Sequence, residues 1–225
     1  GIRLCKAERY IFAHLDMEDL EKGLRTHSSK RIRCVVTDGV FSMDGDIAPL
    51  KKICDLAEKY GALVVVDDSH ATGFMGQHGK GTHEAAGVEG RVDVITSTYG
   101  KALGGAAGGF VAGRKEIIDI LRQRSRTYLF SNSMPPPAAG CALFAIAYLK
   151  DHPELQERLW ENTRYFRARM QHADFTVPDS VHPIVPVMIG SAGQAGAMAS
   201  AMFEEGIYVV AFSFPVVPEG KARIR

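Results

Sequence analysis

Three side chains whose types suit covalent catalysis follow two apolar runs of the sequence. Asp67 comes directly after the run at 62–66, and His70 lies three residues later. Lys101 comes shortly after a second run, at 92–96. A deprotonated lysine amine condenses with an aldehyde, and a carboxylate stabilises a cationic ring nitrogen. Pyridoxal phosphate requires this combination, so the three residues together predict a site for that cofactor.

The residues around Lys101 separate this interpretation from other lysine sites. Gly100, Gly104 and Gly105 leave space for a bulky group against the backbone. Ala102 follows the lysine, whereas a phosphate-binding P-loop has Ser or Thr there. The first predicted strand is also not followed by G-x-G-x-x-G, which argues against a dinucleotide-binding module.

The elements that must position these residues alternate between strands and helices. The predicted strands are short, apolar and rich in β-branched residues, and they lie at 32–37, 62–66, 92–96 and 108–112. Amphipathic helices are predicted from Asp16 onward and over 49–60. Continuous apolar strands separated by such helices are typical of a mainly parallel sheet that is covered on both faces. The fold class predicted is therefore α/β.

The second half of the chain has a different pattern. Helices are predicted over 135–150, 153–172 and 192–205, with strands over 184–189 and 207–211. We expect two domains, with residues 1–147 in a large domain and 148–225 in a smaller α/β domain.

Composition narrows the function classes. The 225 residues include 27 basic and 26 acidic side chains, so the net charge is +1 and nucleic acid is not the expected partner. No apolar run approaches the roughly 20 residues that span a bilayer. The four cysteines are scattered, which favours a reducing compartment over a disulfide framework. The eight histidines form no zinc motif, so no metal site is predicted.

Five blocks of sequence, in the same order, resemble the α-oxoamine synthases. They are TDGVFSMDGD at 37–46, DDSHATGF at 67–74, TYGKALGG at 98–105, YLFSNS at 128–133 and PVVPEGKARIR at 215–225. The resemblance covers essentially the whole chain. It implies the aspartate aminotransferase-like fold of type I pyridoxal-phosphate enzymes, with a large cofactor-binding domain and a small C-terminal domain.

The resemblance also implies a role for each matching residue. Lys101 corresponds to the lysine that forms the imine and moves the substrate α-proton, Asp67 to the acid at the ring nitrogen, and His70 to the histidine near the ring oxygen. Further cofactor contacts are implied for Ser42, Asp68, Ser69, Thr98, Tyr99 and Gly100, and, across a dimer, for Ser131 and Asn132. Arg225 matches the arginine that holds the amino-acid carboxylate. Tyr99 stands where the family more often has Leu.

Within the family, the blocks at 128–133 and 215–225 favour members that condense glycine with acetyl-CoA in a homodimer with shared active sites. A link to threonine dehydrogenase in threonine breakdown is then expected. An 8-amino-7-oxononanoate synthase, a 5-aminolevulinate synthase, a serine palmitoyltransferase and a non-catalytic scaffold subunit remain alternatives. The resemblance implies a cytoplasmic location, or a mitochondrial one if the source is eukaryotic. The first and last residues suggest a chain cut from a longer one.

Overall fold

The computed structural model describes residues 2–104 and 107–225, so Gly105, named above beside Lys101, lies outside the described residues. The chain divides into two compact units. The first unit contains the residues up to Gly39 together with Ala48–Ile146, and the second contains Val40–Ile47 and Ala147–Arg225. The hairpin Val40–Ile47 thus groups with the second unit. The single division at residue 147 stays a prediction.

The first unit is built around a four-stranded sheet in the order β1-β2-β3-β4. Its elements are α1 (Met17–Thr26), β1 (Cys34–Asp38), α2 (Leu50–Tyr60), β2 (Leu63–Asp67), α3 (Thr82–Ala85), β3 (Val94–Thr98), β4 (Gly109–Gly113), α4 (Lys115–Arg124) and α5 (Arg126–Leu129). The first three strands are parallel and β4 is antiparallel to β3. The α/β fold class is confirmed.

Helix α2 shows how the sequence forms this layer. Pro49 precedes the helix, where its missing N–H costs no hydrogen bond. Leu50, Ile53, Cys54 and Ala57 form one buried stripe, and burying each large apolar side chain contributes about 1.5–3 kcal/mol. Gly61 ends the helix in the left-handed conformation (φ 60°) that glycine adopts without strain. Chain reversal at Gly61 leads directly into β2.

The register of β1, β2 and β3 brings their carboxyl ends together. Asp38 of β1 lies opposite Asp67 of β2, and Asp67 lies opposite Thr96 of β3. Ligands of parallel α/β sheets bind beyond this edge. The polar residues that follow β2 and β3 therefore start from one side of the sheet.

The second unit has a three-stranded antiparallel sheet in the order β5-β7-β6. Helix α6 (Pro136–Asp151) contains the boundary, and α7 (Pro153–His172), β5 (Val187–Gly190), α8 (Ala192–Glu204), β6 (Ala211–Phe212) and β7 (Ala222–Ile224) follow. The predicted strand at 207–211 is wrong in extent, because only Ala211 and Phe212 pair with β7. Within residues 2–104 and 107–225, none of the helices combines the length and the apolar character that a membrane span needs.

Candidate active site

The carboxyl end of β2 holds Asp67 at the edge of the sheet. Its Oδ2 accepts a hydrogen bond from the Thr96 hydroxyl at 2.8 Å, and its Oδ1 accepts one from the Ser69 backbone N–H at 3.1 Å. Burial acts to raise the pKa of Asp67, but hydrogen bonding and the nearby charge of Lys101 outweigh it and hold the pKa below its usual range. Asp67 is therefore a carboxylate at neutral pH, fixed in one orientation.

Lys101 lies in the turn that follows β3. The Thr98 hydroxyl closes this turn, because it accepts a hydrogen bond from the Gly100 N–H at 3.1 Å and donates one to the Gly108 carbonyl at 3.2 Å. Lys101 is exposed, and its positive charge acts on the Asp67 carboxylate. The structure therefore brings the Lys101 amine within electrostatic range of Asp67.

His70 lies at the start of the loop between β2 and α3, and it is half-buried. The carbonyl of Asp68 accepts hydrogen bonds from the N–H groups of Ala71 at 2.9 Å and Thr72 at 3.0 Å. His70 lies within this turn. The hydrogen bonds therefore hold the backbone of His70 close to the strand end that carries Asp67.

A second carboxyl group beside Asp67 has no role in the sequence-based prediction. Asp38 ends β1 directly opposite Asp67. Its pKa is raised, first by burial and then by the negative charge of Asp67, and the positive charge of Lys101 offsets this only in part. The signal was present in the sequence, because two neighbouring predicted strands both lead into an aspartate.

The cofactor contact implied for Asp68 stays a prediction, and the structure shows where its side chain is engaged. Its carboxylate is fully buried and accepts hydrogen bonds from the backbone N–H and the hydroxyl of Thr82, at 2.8 and 2.6 Å. Both oxygens are therefore engaged inside the first unit. The side chain of Asp68 is bonded to the beginning of α3, whereas that of Asp67 is bonded to β3.

The remaining predicted site residues of the first unit lie on more open segments. Tyr99 is half-buried, with its ring 5.4 Å from that of Phe110. Ser131 and Asn132 are exposed on the loop after α5, where the Ser131 hydroxyl donates a hydrogen bond to the Thr127 carbonyl. The structure gives both residues a place on this loop rather than among the hydrogen bonds around Asp67.

The second unit brings together Ser42 and Arg225, which are far apart in the sequence. An Nη1–H of Arg225 donates to the Ser42 carbonyl at 2.5 Å, and the guanidinium lies 4.7 Å from the centre of the Phe212 ring. Burial lowers the pKa of Arg225, although a guanidinium remains charged at any physiological pH. Arg225 therefore presents a fixed cation beside the backbone of the 40–47 hairpin.

Arg223 anchors the same hairpin and was missed by sequence reasoning. This buried side chain of β7 donates to the Met43 carbonyl at 2.9 Å and pairs with the Asp44 carboxylate. Ser180 adds a hydrogen bond from its hydroxyl to the Gly45 carbonyl at 2.7 Å. Nothing in the local sequence signals these contacts, because their partners are more than 130 residues apart. Throughout the described chain, no cluster of three His, Cys, Asp or Glu side chains is placed to hold a metal ion.

Comparison with known proteins places the whole chain in one group. Residues 1–225 match the family model described as aminotransferase class I and II. Over 225 residues the chain is 55% identical to mitochondrial 2-amino-3-ketobutyrate coenzyme A ligase from Mus musculus. Identity is 53% to the Escherichia coli K12 ligase and 45% to an 8-amino-7-oxononanoate synthase from Thermosipho melanesiensis. The chain spans only 54–57% of the length of these relatives.

Solved structures agree with this grouping. A serine palmitoyltransferase superimposes with a TM-score of 0.94 at 35% identity, covering 100% of this chain and 56% of that one. The S. paucimobilis serine palmitoyltransferase with a bound PLP–myriocin aldimine gives a TM-score of 0.93 at 35% identity, over 99% of this chain and 56% of that one. These neighbours and the curated relatives fit the α-oxoamine synthases.

Proposed function

The chain belongs to the aminotransferase class I and II family, and on this premise we propose that it is part of a pyridoxal-phosphate-dependent acyltransferase. The enzyme condenses glycine with acetyl-CoA to give 2-amino-3-oxobutyrate and CoA, or cleaves that product in threonine breakdown. Identity of 53–55% to the coenzyme A ligases, against 45% to the oxononanoate synthase, favours this reaction within the family. The observation that carries the proposal is the ionised Asp67 within electrostatic range of Lys101.

The residues of the first unit fit pyridoxal phosphate by the chemistry of their donor set. A carboxylate whose pKa is held low suits a protonated ring nitrogen, and a lysine amine suits the aldehyde. When bound, this cofactor withdraws electrons from the amino-acid α-carbon, so that a proton there leaves more easily. The exposed turn at Lys101 gives the amine freedom to reach that carbon.

Each predicted residue of the site then has a task, except Asp68, whose cofactor contact stays a prediction. Asp67 would hold the ring nitrogen protonated, Lys101 would bind the cofactor and move the proton at the glycine α-carbon, and His70 would lie near the ring oxygen and the reacting carbonyl. Cofactor contacts come further from Ser42, Ser69, Thr98, Tyr99 and Gly100. Arg225 binds the glycine carboxylate, a task that suits a guanidinium because two parallel N–H groups match two carboxylate oxygens.

We further propose that the enzyme is a homodimer in which Ser131 and Asn132 reach the cofactor phosphate of the neighbouring subunit. Support comes from apolar side chains that are exposed on α5, directly after it and on α6, which we call the apolar face: Tyr128, Phe130, Leu143 and Phe144. Large exposed apolar patches mark interaction surfaces. The same proposal includes a location in the cytoplasm, or in mitochondria if the source is eukaryotic. It also includes the supply of 2-amino-3-oxobutyrate by threonine dehydrogenase.

The test compares acyl donors with the full-length protein. We expect kcat/KM to be highest for glycine with acetyl-CoA. It should exceed kcat/KM for glycine with succinyl-CoA, and kcat/KM for alanine with a pimeloyl thioester, by at least about 10-fold. A higher kcat/KM with the pimeloyl thioester would support the second candidate, an 8-amino-7-oxononanoate synthase, to one of which the chain is 45% identical. A third result would support the scaffold subunit instead: the protein alone has no turnover, and the Lys101→Ala variant leaves the activity of a catalytic partner subunit unchanged.

A further inference from the structure

Asp68 is a buried carboxylate without a role in the reaction described above. Its exposed fraction is 0%, and a charge in such a place is costly unless hydrogen bonds satisfy it. Thr82, at the beginning of α3, donates a hydrogen bond to each of its oxygens, and the Nδ1 atom of His83 lies 3.7 Å from Oδ2. The carboxylate therefore joins the start of the loop 69–81 to its end.

Two glycines make room for this carboxylate. A Cβ atom on Gly39 would overlap Asp68 Oδ1, and one on Gly81 would overlap Oδ2. Gly81 also has a φ of 128°, which side-chain-bearing residues rarely adopt. Backbone from two separate segments therefore closes on the Asp68 side chain, which leaves it a single position.

A second carboxylate holds the middle of the same loop. The mostly buried Glu84 side chain accepts hydrogen bonds from the backbone N–H groups of His78 at 3.0 Å and Lys80 at 3.1 Å. Its Oε1 is also 2.6 Å from the Nδ1 atom of His78. A Cβ atom on Gly76 would overlap Oε2, so the loop backbone lies against this carboxylate too. The loop is thus anchored from inside at two places.

His70 lies within the first turn of this anchored loop. The Asp68 carbonyl accepts hydrogen bonds from Ala71 and Thr72, and the Thr72 hydroxyl contributes another to the same carbonyl at 3.0 Å. The Ser97 hydroxyl of β3 in turn donates to Thr72 at 2.9 Å. Residues immediately after His70 are therefore tied to Asp68 and to the sheet.

We propose that Asp68, bonded to Thr82, is a positioning residue that clamps the loop 69–81 and thereby fixes His70 for the reaction, with Glu84 holding the middle of the loop. The part about His70 rests on the proposed function. The clamp itself does not, because it depends only on contacts within the first unit. Asp68 acts through His70 and does not touch substrate or cofactor with its side chain.

Paired variants separate the clamp from general stability. Thr82→Val removes the hydroxyl and keeps the backbone N–H bond, and Thr82→Ser restores the hydroxyl. Asp68→Asn keeps a hydrogen bond to each group of Thr82. Its amide oxygen accepts from the Thr82 N–H, and its amide N–H donates to the Thr82 hydroxyl, because a hydroxyl can also accept. Asp68→Ala loses both. Thr163→Val is the matched control, because Thr163 is also buried and its hydroxyl donates a hydrogen bond within α7, to the Leu159 carbonyl.

The experiment measures amide hydrogen exchange over 69–81 and steady-state kinetics in the full-length enzyme. Exchange in this loop reports its local opening. We expect Thr82→Val to speed exchange about 10-fold without substrate, and to lower kcat about 10-fold with KM for glycine changed less than about twofold. Thr82→Ser and Asp68→Asn should stay within about threefold of the parent in both readouts. Thr163→Val should change neither.

Three results would overturn the proposal. Loop exchange that is unchanged in Thr82→Val would refute the clamp, and faster exchange with unaltered kcat would refute its effect on His70. If Thr163→Val changed loop exchange and kcat as much as Thr82→Val does, the effect would reflect a general loss of stability and not the clamp. If Asp68→Ala does not fold, the Thr82 pair still decides. If the proposed reaction is wrong, turnover with glycine fails in the parent enzyme as well, whereas the exchange measurement keeps its meaning.

Discussion

The strand ends of the first unit and the stretch from Tyr128 to Phe144 differ in whether their side chains have partners within the chain. At the strand ends, the Asp67 and Asp68 carboxylates find hydrogen-bond donors within the chain. In the second stretch, Phe130 is 76% exposed and Leu143 is 71% exposed. In the first region, donors from within the chain thus hold both carboxylates, whereas the second region exposes apolar area that burial would stabilise.

Two helices show the same contrast. Helix α2 buries four residues along its 11-residue length, including Leu50 and Ile53. Helix α6 has 16 residues and is more apolar on average, but only Ala138 and Ala142 are buried. A helix that is apolar on most sides is normally covered on most sides. The difference supports the proposal that the first region carries out chemistry and the second forms a subunit interface, and the following changes test that division.

Lys101 should give the largest effect. Lys101→Ala removes the only group proposed to bind the cofactor covalently, so turnover by the full-length enzyme should fall by at least about 10³-fold. Lys115→Ala is the matched control, because Lys115 is exposed and forms an ion pair with Asp119 on the same helix, α4. Comparable losses in both variants would show that the strand-end region has no special role.

Asp67→Asn should give the next largest effect. An amide cannot hold a ring nitrogen protonated, so kcat should fall by about 10²–10³-fold, measured together with the cofactor absorbance. Asp38→Asn is the comparison, since Asp38 lies opposite Asp67 but its pKa is raised rather than lowered. We expect less than about fivefold loss there. If Asp38→Asn were the more damaging change, the two carboxyl groups would have to exchange roles.

The apolar face should affect assembly instead of chemistry. Leu143→Gln is expected to weaken the dimer about 10-fold, or about 1.4 kcal/mol, in sedimentation experiments with the full-length protein. Ile11→Gln serves as the control, because Ile11 is 88% exposed and lies in a different part of the first unit. An unchanged dimer dissociation constant for Leu143→Gln would remove the apolar face from the interface.

The smallest effect concerns stability and pH at Asp38. Its pKa is raised in the folded chain, so ionisation opposes folding at every pH above that raised value and has no effect well below the unfolded pKa of about 3.9. Asp38→Asn should therefore raise the free energy of unfolding at pH 7, by less than about 1 kcal/mol because the carboxyl group is only partly buried and solvent screens its charge. The gain should vanish near pH 3 in urea titrations. A gain that grows on acidification would contradict the assignment.

The parts of the fold that follow from sequence are those with local causes. The continuous apolar runs predict β1, β2 and β3 to within two residues, and Gly61 marks the end of α2. The site residues after β2 and β3 follow from the same pattern, because parallel strands present their carboxyl ends on one side. Asp67 and Lys101 were found in this way.

The missed features depend on long-range contacts. Strand β7 has three residues with a buried Arg223 at its centre, so no alternation of apolar residues marks it. Its contact with Asp44 joins residues 179 positions apart, which groups the hairpin Val40–Ile47 with the second unit. Likewise, the sequence presents Asp67 and Asp68 as equivalent neighbours. Only their hydrogen-bond partners, Thr96 for Asp67 and Thr82 for Asp68, distinguish the proposed site residue from the proposed positioning residue.

The most direct test of the central claim is borohydride reduction of the full-length protein, followed by peptide mapping. Reduction should fix a pyridoxyl-phosphate mass on the peptide that contains Lys101, with loss of the cofactor's visible absorbance, and Asp67→Asn should shift that absorbance before reduction. A pyridoxyl adduct on a different lysine, or full glycine-dependent turnover with no adduct at Lys101, would contradict the account.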